Sequence, residues 1–416
     1  MKKPILFLFL LITLASVFAH FWNYENLFGF TLDAPIHLTA AKEMVDSGKL
    51  SLVGSSVTTK EVFGRMIFTG PFHYYVLATL GIVSHWNVVF ISGFYTSLWL
   101  IAFIILFFWL NKKFGGVIAI LIYTLLSFYP LFIQISKQIT NPQFIPLFGT
   151  LFLISLVERK KSIHYFLAGI FWGLGLNVHY ATVLWVFVAL FFVVSEISHK
   201  KFHLGHWLIL VLGIILAEIP LIIFEFRHNF YNINTIIFHF RYGNFSQGYT
   251  FNVWYYYVLP FLAPAAFLAG KLLHQIRKAR MYIVVVIFLS ALSFYFMSLA
   301  FGFQNQKISH YPGWSIATQK EVAYIIIKDN EKDFEVAETI SSDTQATDVR
   351  WWLKEVGVGV MAVDQYKNAP VLYLVTTPER PPETETVWEV SSLRPFNIEF
   401  KKDIGGGLYL YKLVRK

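Results

Sequence analysis

The chain has 416 residues, of which 56% are hydrophobic, 19% aromatic and only 14% charged, with a formal net charge of +9 and no cysteine. Soluble proteins carry about 25% charged residues, so an intrinsically disordered chain, a disulfide scaffold, a zinc site built on Cys and the dense basic stripe of a nucleic-acid binder are all excluded. An integral membrane protein remains, consistent with a mean hydropathy of +0.55.

A helix that crosses a bilayer needs about 20 apolar residues. In chain order, such runs read as Pro4–Trp22, Asn87–Leu110, Phe114–Ile135, Phe144–Val157, His164–Val178, Ala181–Ile197, Gly205–Phe224, Val253–Lys271 and Met281–Phe303. The first, with Lys2-Lys3 ahead of it and Val17-Phe18-Ala19 behind, also has the pattern of a signal peptide. It is long enough to stay as a span, and cleavage would leave every later loop on the side it already occupies. Basic clusters at Lys2-Lys3, Lys112-Lys113, Arg159-Lys160-Lys161, His199-Lys200-Lys201 and Arg277-Lys278-Arg280 all fall on the cytoplasmic side if the N-terminus is cytoplasmic and there are nine spans. Phe72–Val83 is too short to cross and reads as an amphipathic or re-entrant helix on the outer side. If it does cross, the spans number ten and the parity breaks.

Charge divides the chain. Residues 304–416 hold 14 basic and 16 acidic residues, against 20 basic and nine acidic before them. The tail therefore reads as a soluble α/β domain, with helical spacing in Gln319–Asn330 and Asp348–Val356. Strand patterns lie at Phe334–Thr339, Val371–Thr376, Asn397–Lys402 and Leu408–Val414. Gly405-Gly406-Gly407 supplies a turn before the last strand; no Lys or Ser/Thr follows in the spacing of a phosphate-binding loop. The fold class expected is an all-α polytopic membrane protein over residues 1–303 with a small α/β domain over 304–416, placed outside the cell membrane. No tandem repeat and no pair of matching halves with broken helices is present, as many secondary transporters would require.

The nine acids before the tail are Glu25, Asp33, Glu43, Asp46, Glu61, Glu158, Glu196, Glu218 and Glu225. Glu158 and Glu196 sit in basic clusters and balance charge. Five of the others, Glu25, Asp33, Glu43, Asp46 and Glu61, lie between Asn23 and Pro71, and a loop that long usually has a function. Asp33 opens a helical stretch and shares a face with His37, four residues on. Spacing alone allows Asp33 as a helix N-cap with Pro35 in the first turn, or as part of a site; one Asp and one His without a third ligand make a divalent metal unfavoured. Lys60, Arg65 and His73 flank the Gly70-Pro71 turn, where they fit either a lipid phosphate or ordinary headgroup anchoring. Glu218 falls inside an apolar run, where an ionised carboxylate costs a few kcal/mol unless paired. Lys137 with Asn141, His179 with Tyr180, and Glu225 with Arg227 and His228 bring polar groups from further outer segments, which together suggest a cleft at the outer leaflet.

These motifs follow an order: Asp33 and its helix, Gly48 to Gly54, Gly70-Pro71 to Tyr75, Asn141-Pro142 to Pro146, Gly173 to Tyr180, and Pro220 followed by Phe224 to Asn229. In that order the chain resembles the multi-spanning glycosyltransferases of the C-type fold, the family 39-like group holding protein O-mannosyltransferases and the lipid A aminoarabinose transferase, over roughly residues 23–242. The resemblance implies transfer of a sugar from a polyprenyl-phosphate carrier to a glycan, lipid or protein acceptor outside the cytoplasmic membrane, with residues 23–86 as the outer catalytic loop. It gives Asp33 the role of general base. Arg65, Arg227 and Lys137 would offset phosphate charge, and His179 and Glu225 would lie near sugar or carrier. Many relatives carry a second acid beside the first or four residues after it; here Ala34 and His37 occupy those places, leaving metal dependence open. An inverting displacement needs only one carboxylate. Two readings from other classes are a lipid-linked glycan transporter and a non-catalytic assembly partner in envelope glycan synthesis.

Overall fold

A computed structural model describes residues 3–56, 65–242, 255–277, 280–302, 311, 313–341 and 343–416. Lys2, Lys60, Glu61, Val253, Lys278, Phe303 and Gln304 lie outside the described residues, as does the divide between residues 303 and 304. Among the described residues every apolar run is helical, although two are broken and not every helix is long. Among the described residues, Lys3–Phe21, Val88–Phe114, Tyr180–Ser198, Tyr256–Ile276 and Met281–Phe301 are long and apolar enough to cross a bilayer. The bent pair Leu204–Ala217 and Ile219–Arg227 makes a sixth if counted as one span. Phe72–Ser84, Gly116–Phe128, Asn141–Val157 and Ser162–Val178 are shorter apolar helices packed among them. Phe72–Ser84, with 13 residues, is about 20 Å long against a hydrocarbon core of about 30 Å.

Two runs read as continuous are broken, each at a proline. Phe114–Ile135 becomes Gly116–Phe128 and Pro130–Ile135, with Tyr129 extended between them. Gly205–Phe224 bends by 69° at Glu218, because Pro220 has no N–H to donate and its ring crowds the carbonyl four residues back. By contrast, Val88–Phe114 runs 27 residues. The Asn87 side chain accepts from Val89 N at 3.0 Å and Phe90 N at 3.1 Å at its start, and Lys112 and Lys113 complement the helix dipole at its end. Ser162–Val178 and Leu204–Ala217 pack almost backbone to backbone: a Cβ on Gly169 would meet Leu210 O at 2.0 Å, and one on Gly213 would meet Phe166 O at 2.5 Å. The basic clusters are tied to the acids read as balancing them. Glu158 pairs with Lys113 at 2.8 Å, and Glu196 pairs with Arg159 while accepting from Tyr165 and Trp207. Outward faces are apolar, with Phe7, Leu14, Phe187, Phe191, Ile283 and Phe288 exposed, a surface that suits hydrocarbon.

The tail carries four strands: β1 Phe334–Glu338, β2 Val371–Thr376, β3 Phe396–Gly405 and β4 Leu408–Arg415, in the sheet order β1-β2-β4-β3. β1 and β2 are parallel, with Val336 opposite Tyr373; β4 is antiparallel to β2 and β3. Both parallel strands are buried throughout; β2 is apolar apart from Thr376, as a buried parallel strand requires, whereas β1 carries Glu335 and Glu338 inward, Glu335 paired with Arg350. The β3–β4 turn uses Gly405, Gly406 and Gly407 at φ 83°, 63° and 77°, conformations that a side chain resists. Helices Ile316–Asp329 and Thr347–Glu355 cover the sheet face formed by Phe334, Val336, Tyr373 and Leu410.

The helix Thr347–Glu355 also meets the helix Asp33–Ser47. Lys42 pairs with Glu355, Lys354 pairs with Glu43 at 2.9 Å, and the Lys42 ammonium lies over the rings of Trp86 and Trp351. Ile316 and Trp351 belong to the same buried apolar cluster as the membrane helices.

Candidate functional site

Asp33 is the first residue of its helix, and its side chain is exposed. The N-cap position belongs to Leu32, whose φ of 51° and ψ of −107° are strained for a side-chain-bearing residue. The N-cap reading of Asp33 therefore does not hold. Its carboxylate stands in the first turn, at the positive end of the helix dipole.

One turn on, His37 is buried. Its ring meets that of His73 edge-on at 4.9 Å and that of Tyr74 at 5.9 Å, and the His73 ring is 5.7 Å from that of Tyr95. Burial holds the His37 imidazole below its ordinary pKa, while the Asp33 carboxylate opposes the shift. Burial first, and the Asp33 charge second, push the Tyr74 hydroxyl up to about 12. Asp33 thus acts electrostatically on both neighbours. His37 Nδ1, both ring nitrogens of His73 and the Tyr95 hydroxyl are buried without a hydrogen-bond partner among the described residues. An aromatic nook with unused polar atoms therefore lies behind the carboxylate.

The other described residues between Asp33 and Pro71 are tied to one another and to the other sequence-predicted segments through backbone groups. Gly54 N donates to Thr69 O at 2.8 Å and Thr69 N to Ser55 O at 2.9 Å. Phe68 is held on both sides: its N–H donates to Asn232 Oδ1 at 3.0 Å, and its carbonyl accepts from Asn232 Nδ2 at 3.1 Å and from the Tyr180 hydroxyl at 2.6 Å. Asn141 Nδ2 donates to Val178 O at 2.5 Å and Ser55 Oγ at 3.4 Å. His179 Nδ1 accepts from Ala181 N at 3.1 Å, and its ring lies 5.4 Å from that of Tyr256; burial pushes its imidazole down to about 4.

Asn177 is the hub of this region and only 1% exposed. Its Oδ1 accepts from Phe72 N at 2.8 Å, while its Nδ2 donates to Ala217 O and Glu218 Oε2, both at 3.4 Å. It fits only because residue 70 is glycine: a Cβ there would lie 2.1 Å from Asn177 Nδ2. Glu218, read as a carboxylate inside a span, sits at the helix break, with one oxygen facing Asn177 and the other without a partner among the described residues.

Glu225 faces a structural partner. Its carboxylate oxygens accept from Asn232 N at 3.2 Å and Ile233 N at 3.4 Å, capping the helix Tyr231–Tyr242. The cations divide. Arg65 is exposed, with its guanidinium 4.9 Å from the Phe238 ring centroid. Arg227 is exposed without an ion pair among the described residues, and the exposed His228 ring stacks on Phe224 at 4.2 Å. Lys137, read from the sequence as part of the outer cleft, is only 2% exposed. It lies 5.6 Å from the Tyr24 ring, and its backbone carbonyl accepts from Ser92. Burial pulls its ammonium down to about 8. Asp33, His37 and His73 therefore form one group, and Asn141, His179, Tyr180 and Glu225 adjoin the loop of Arg65 as another. Asn177, Asn232 and Tyr74 were not read as site residues. Asn177 lay within a quoted motif, but nothing in its spacing signals three partners. Among the described residues no three His, Cys, Asp or Glu side chains group as metal ligands.

Two comparisons bear on this arrangement. Residues 69–224 match the dolichyl-phosphate-mannose-protein mannosyltransferase family, a stretch holding His73, Lys137, Asn141, His179 and Tyr180 but neither Asp33 nor Arg65. The whole chain is similar in structure to ArnT from Cupriavidus metallidurans, solved bound to undecaprenyl phosphate. The TM-score is 0.60 at 11% identity, and the match covers 99% of this chain and 98% of that one. Comparison with curated proteins gave no match. The resemblance read from the ordered motifs therefore holds: this multi-pass membrane protein has the C-type glycosyltransferase fold, and its central segment matches the dolichyl-phosphate-mannose-protein mannosyltransferase family.

Proposed function

We propose that the chain moves a sugar from a polyprenyl-phosphate carrier to an acceptor hydroxyl at the outer face of the membrane, with Asp33 as general base. The observation that carries this reading is the Asp33 turn: an exposed carboxylate follows a strained residue and abuts a nook with unused polar atoms. In the step envisaged, the acceptor O–H gives its proton to Asp33 as its oxygen attacks the anomeric carbon from the face opposite the phosphate. The bond from that carbon to the phosphate oxygen breaks, and its electron pair leaves on polyprenyl phosphate. The products are the inverted glycoside, the carrier phosphate and protonated Asp33. Arg65 and Arg227, whose charges are exposed, are the cations proposed to offset the phosphate charge. His37 and His73 offer ring nitrogens to sugar hydroxyls, and Asn141, His179, Tyr180, Glu225 and His228 shape or border the carrier side. Residues 304–416 lie outside with the site, as the distribution of basic clusters indicates.

The test is Asp33→Asn in the full chain, assayed by release of undecaprenyl phosphate from undecaprenyl-phospho-mannose, -glucose, -galactose and -aminoarabinose. The expectation is a loss of about 1000-fold or more in transfer with undecaprenyl phosphate still bound, within the range for removing a catalytic base. Transfer within about threefold of the parent would refute the assignment of the base. A parent that turns over no member of the panel yet carries one across vesicles would favour the transporter reading instead.

A further inference from the structure

The Asp33 turn is gripped from the tail. Gln319, on the helix Ile316–Asp329, is 1% exposed, and its Nε2 donates both to the backbone carbonyl of Phe30 at 2.9 Å and to Asp348 Oδ2 at 2.9 Å. Its Oε1 accepts from Trp352 Nε1 at 3.1 Å. This set allows one orientation of the amide, because exchanging O and N would turn an oxygen toward two acceptors and leave the indole N–H facing a donor. Asp348 is fixed in turn by Trp314 Nε1 at 2.8 Å on Oδ2 and by Val349 N at 2.7 Å on Oδ1. The Phe30 ring is buried against Trp351 and Trp352, with centroids 6.2 and 5.4 Å away. Only Thr31 and the strained Leu32 separate Phe30 from Asp33. Such a conformation persists only where its surroundings over-determine it. Farther along the same helix, Lys42 with Glu355 and Glu43 with Lys354 tie it to the tail again.

We infer that Gln319 is a positioning residue for Asp33, so the tail forms part of the transfer site through its grip on the Phe30–Asp33 turn. This rests on the reading of Asp33 as the base. Removing the amide deletes no group near the substrate, but it frees the turn that carries Asp33 to relax. A displacement of about 1 Å at a reacting group costs up to about 100-fold in rate.

The experiment compares Gln319→Leu, Gln319→Asn and Trp352→Phe in the full chain, using the panel donor that the parent turns over. Gln319→Leu is expected to lower kcat between about 10- and 100-fold per folded molecule, with donor KM and undecaprenyl phosphate binding within about twofold of the parent. Trp352→Phe leaves both Nε2 contacts and should lose less than Gln319→Leu. A purely structural role would reduce the folded fraction without changing kcat. If Gln319→Leu does not accumulate, the decision passes to Gln319→Asn, whose shorter side chain withdraws the amide from Phe30 while remaining polar. Folded variants with kcat within about threefold of the parent, in a protein that Asp33→Asn inactivates, overturn this inference and leave the base in place. Full transfer by Asp33→Asn overturns the base itself, whatever Gln319 does.

Discussion

Gly70 and Asn177 should behave as one unit, and a double-mutant cycle measures it. In Gly70→Ala the new Cβ would sit 2.1 Å from Nδ2, 2.2 Å from Cγ and 2.4 Å from Oδ1 of Asn177, so the whole carboxamide must leave its place. The first bond lost is the 2.8 Å contact from Phe72 N, which opens the helix holding His73 and Tyr74. An orphaned buried N–H costs about 1–3 kcal/mol. Asn177→Ala removes the same bond together with the two longer ones to Ala217 O and Glu218 Oε2, for a total of about 2–4 kcal/mol. In the double variant the amide that the new methyl group would strike is gone. The pair should then cost about as much as Asn177→Ala alone, with a coupling of about 1–3 kcal/mol in favour of the double variant. Unfolding free energies from SDS titration of the detergent-solubilised chain supply the four corners. Simple additivity, within about 0.5 kcal/mol, would refute the claim that residue 70 is glycine because of Asn177.

Further outcomes follow from buried charge, close packing and orientation. The folded chain gives up the Lys137 proton near pH 8, and the unfolded chain near about 10.4. The unfolded state therefore binds more protons between these values, and stability should rise with pH across that window by about 3 kcal/mol. Lys137→Met should flatten this slope in pH-resolved unfolding and be more stable than the parent at neutral pH; an unchanged slope would refute the burial argument. His179, pushed down to about 4, should make the parent lose stability as pH falls from about 6.5 toward 4, because the unfolded chain takes up the proton first. His179→Asn, which can still accept from Ala181 N, should show a shallower acid limb. Gly169→Leu should cost at least about 1–3 kcal/mol, since even its Cβ would enter the Leu210 carbonyl; wild-type stability would mean the two helices are not in contact. The chain has no cysteine, so single substitutions report sidedness cleanly: Lys367→Cys should react with an impermeant maleimide added outside intact cells and Lys160→Cys only after lysis. The reverse pattern would invert the proposed orientation.

The presence of apolar helices was legible because composition depends on neighbours in sequence; their ends were less so. Hydropathy alone locates Lys3–Phe21 and Val88–Phe114, and helical spacing with strand alternation locates the tail elements to within a few residues. The breaks at Pro130 and Pro220 were missed because a hydropathy window responds to apolarity, while the break arises from an absent N–H and a ring clash. At the site, Asp33 stood out because carboxylates are scarce before the tail, an argument that works only for rare residues. Asn177, Asn232 and Gln319 are ordinary amides, and each gains its role from backbone groups far away in sequence: Phe72, Phe68 and Phe30. Glu225 shows the converse, since an acid conspicuous in an apolar context caps the next helix by accepting from the Asn232 N–H seven residues on. A rare charge in a membrane chain marks a place where something must compensate it, and only the tertiary partners decide whether that something is a helix end, as for Glu225, or a substrate, as proposed for Asp33.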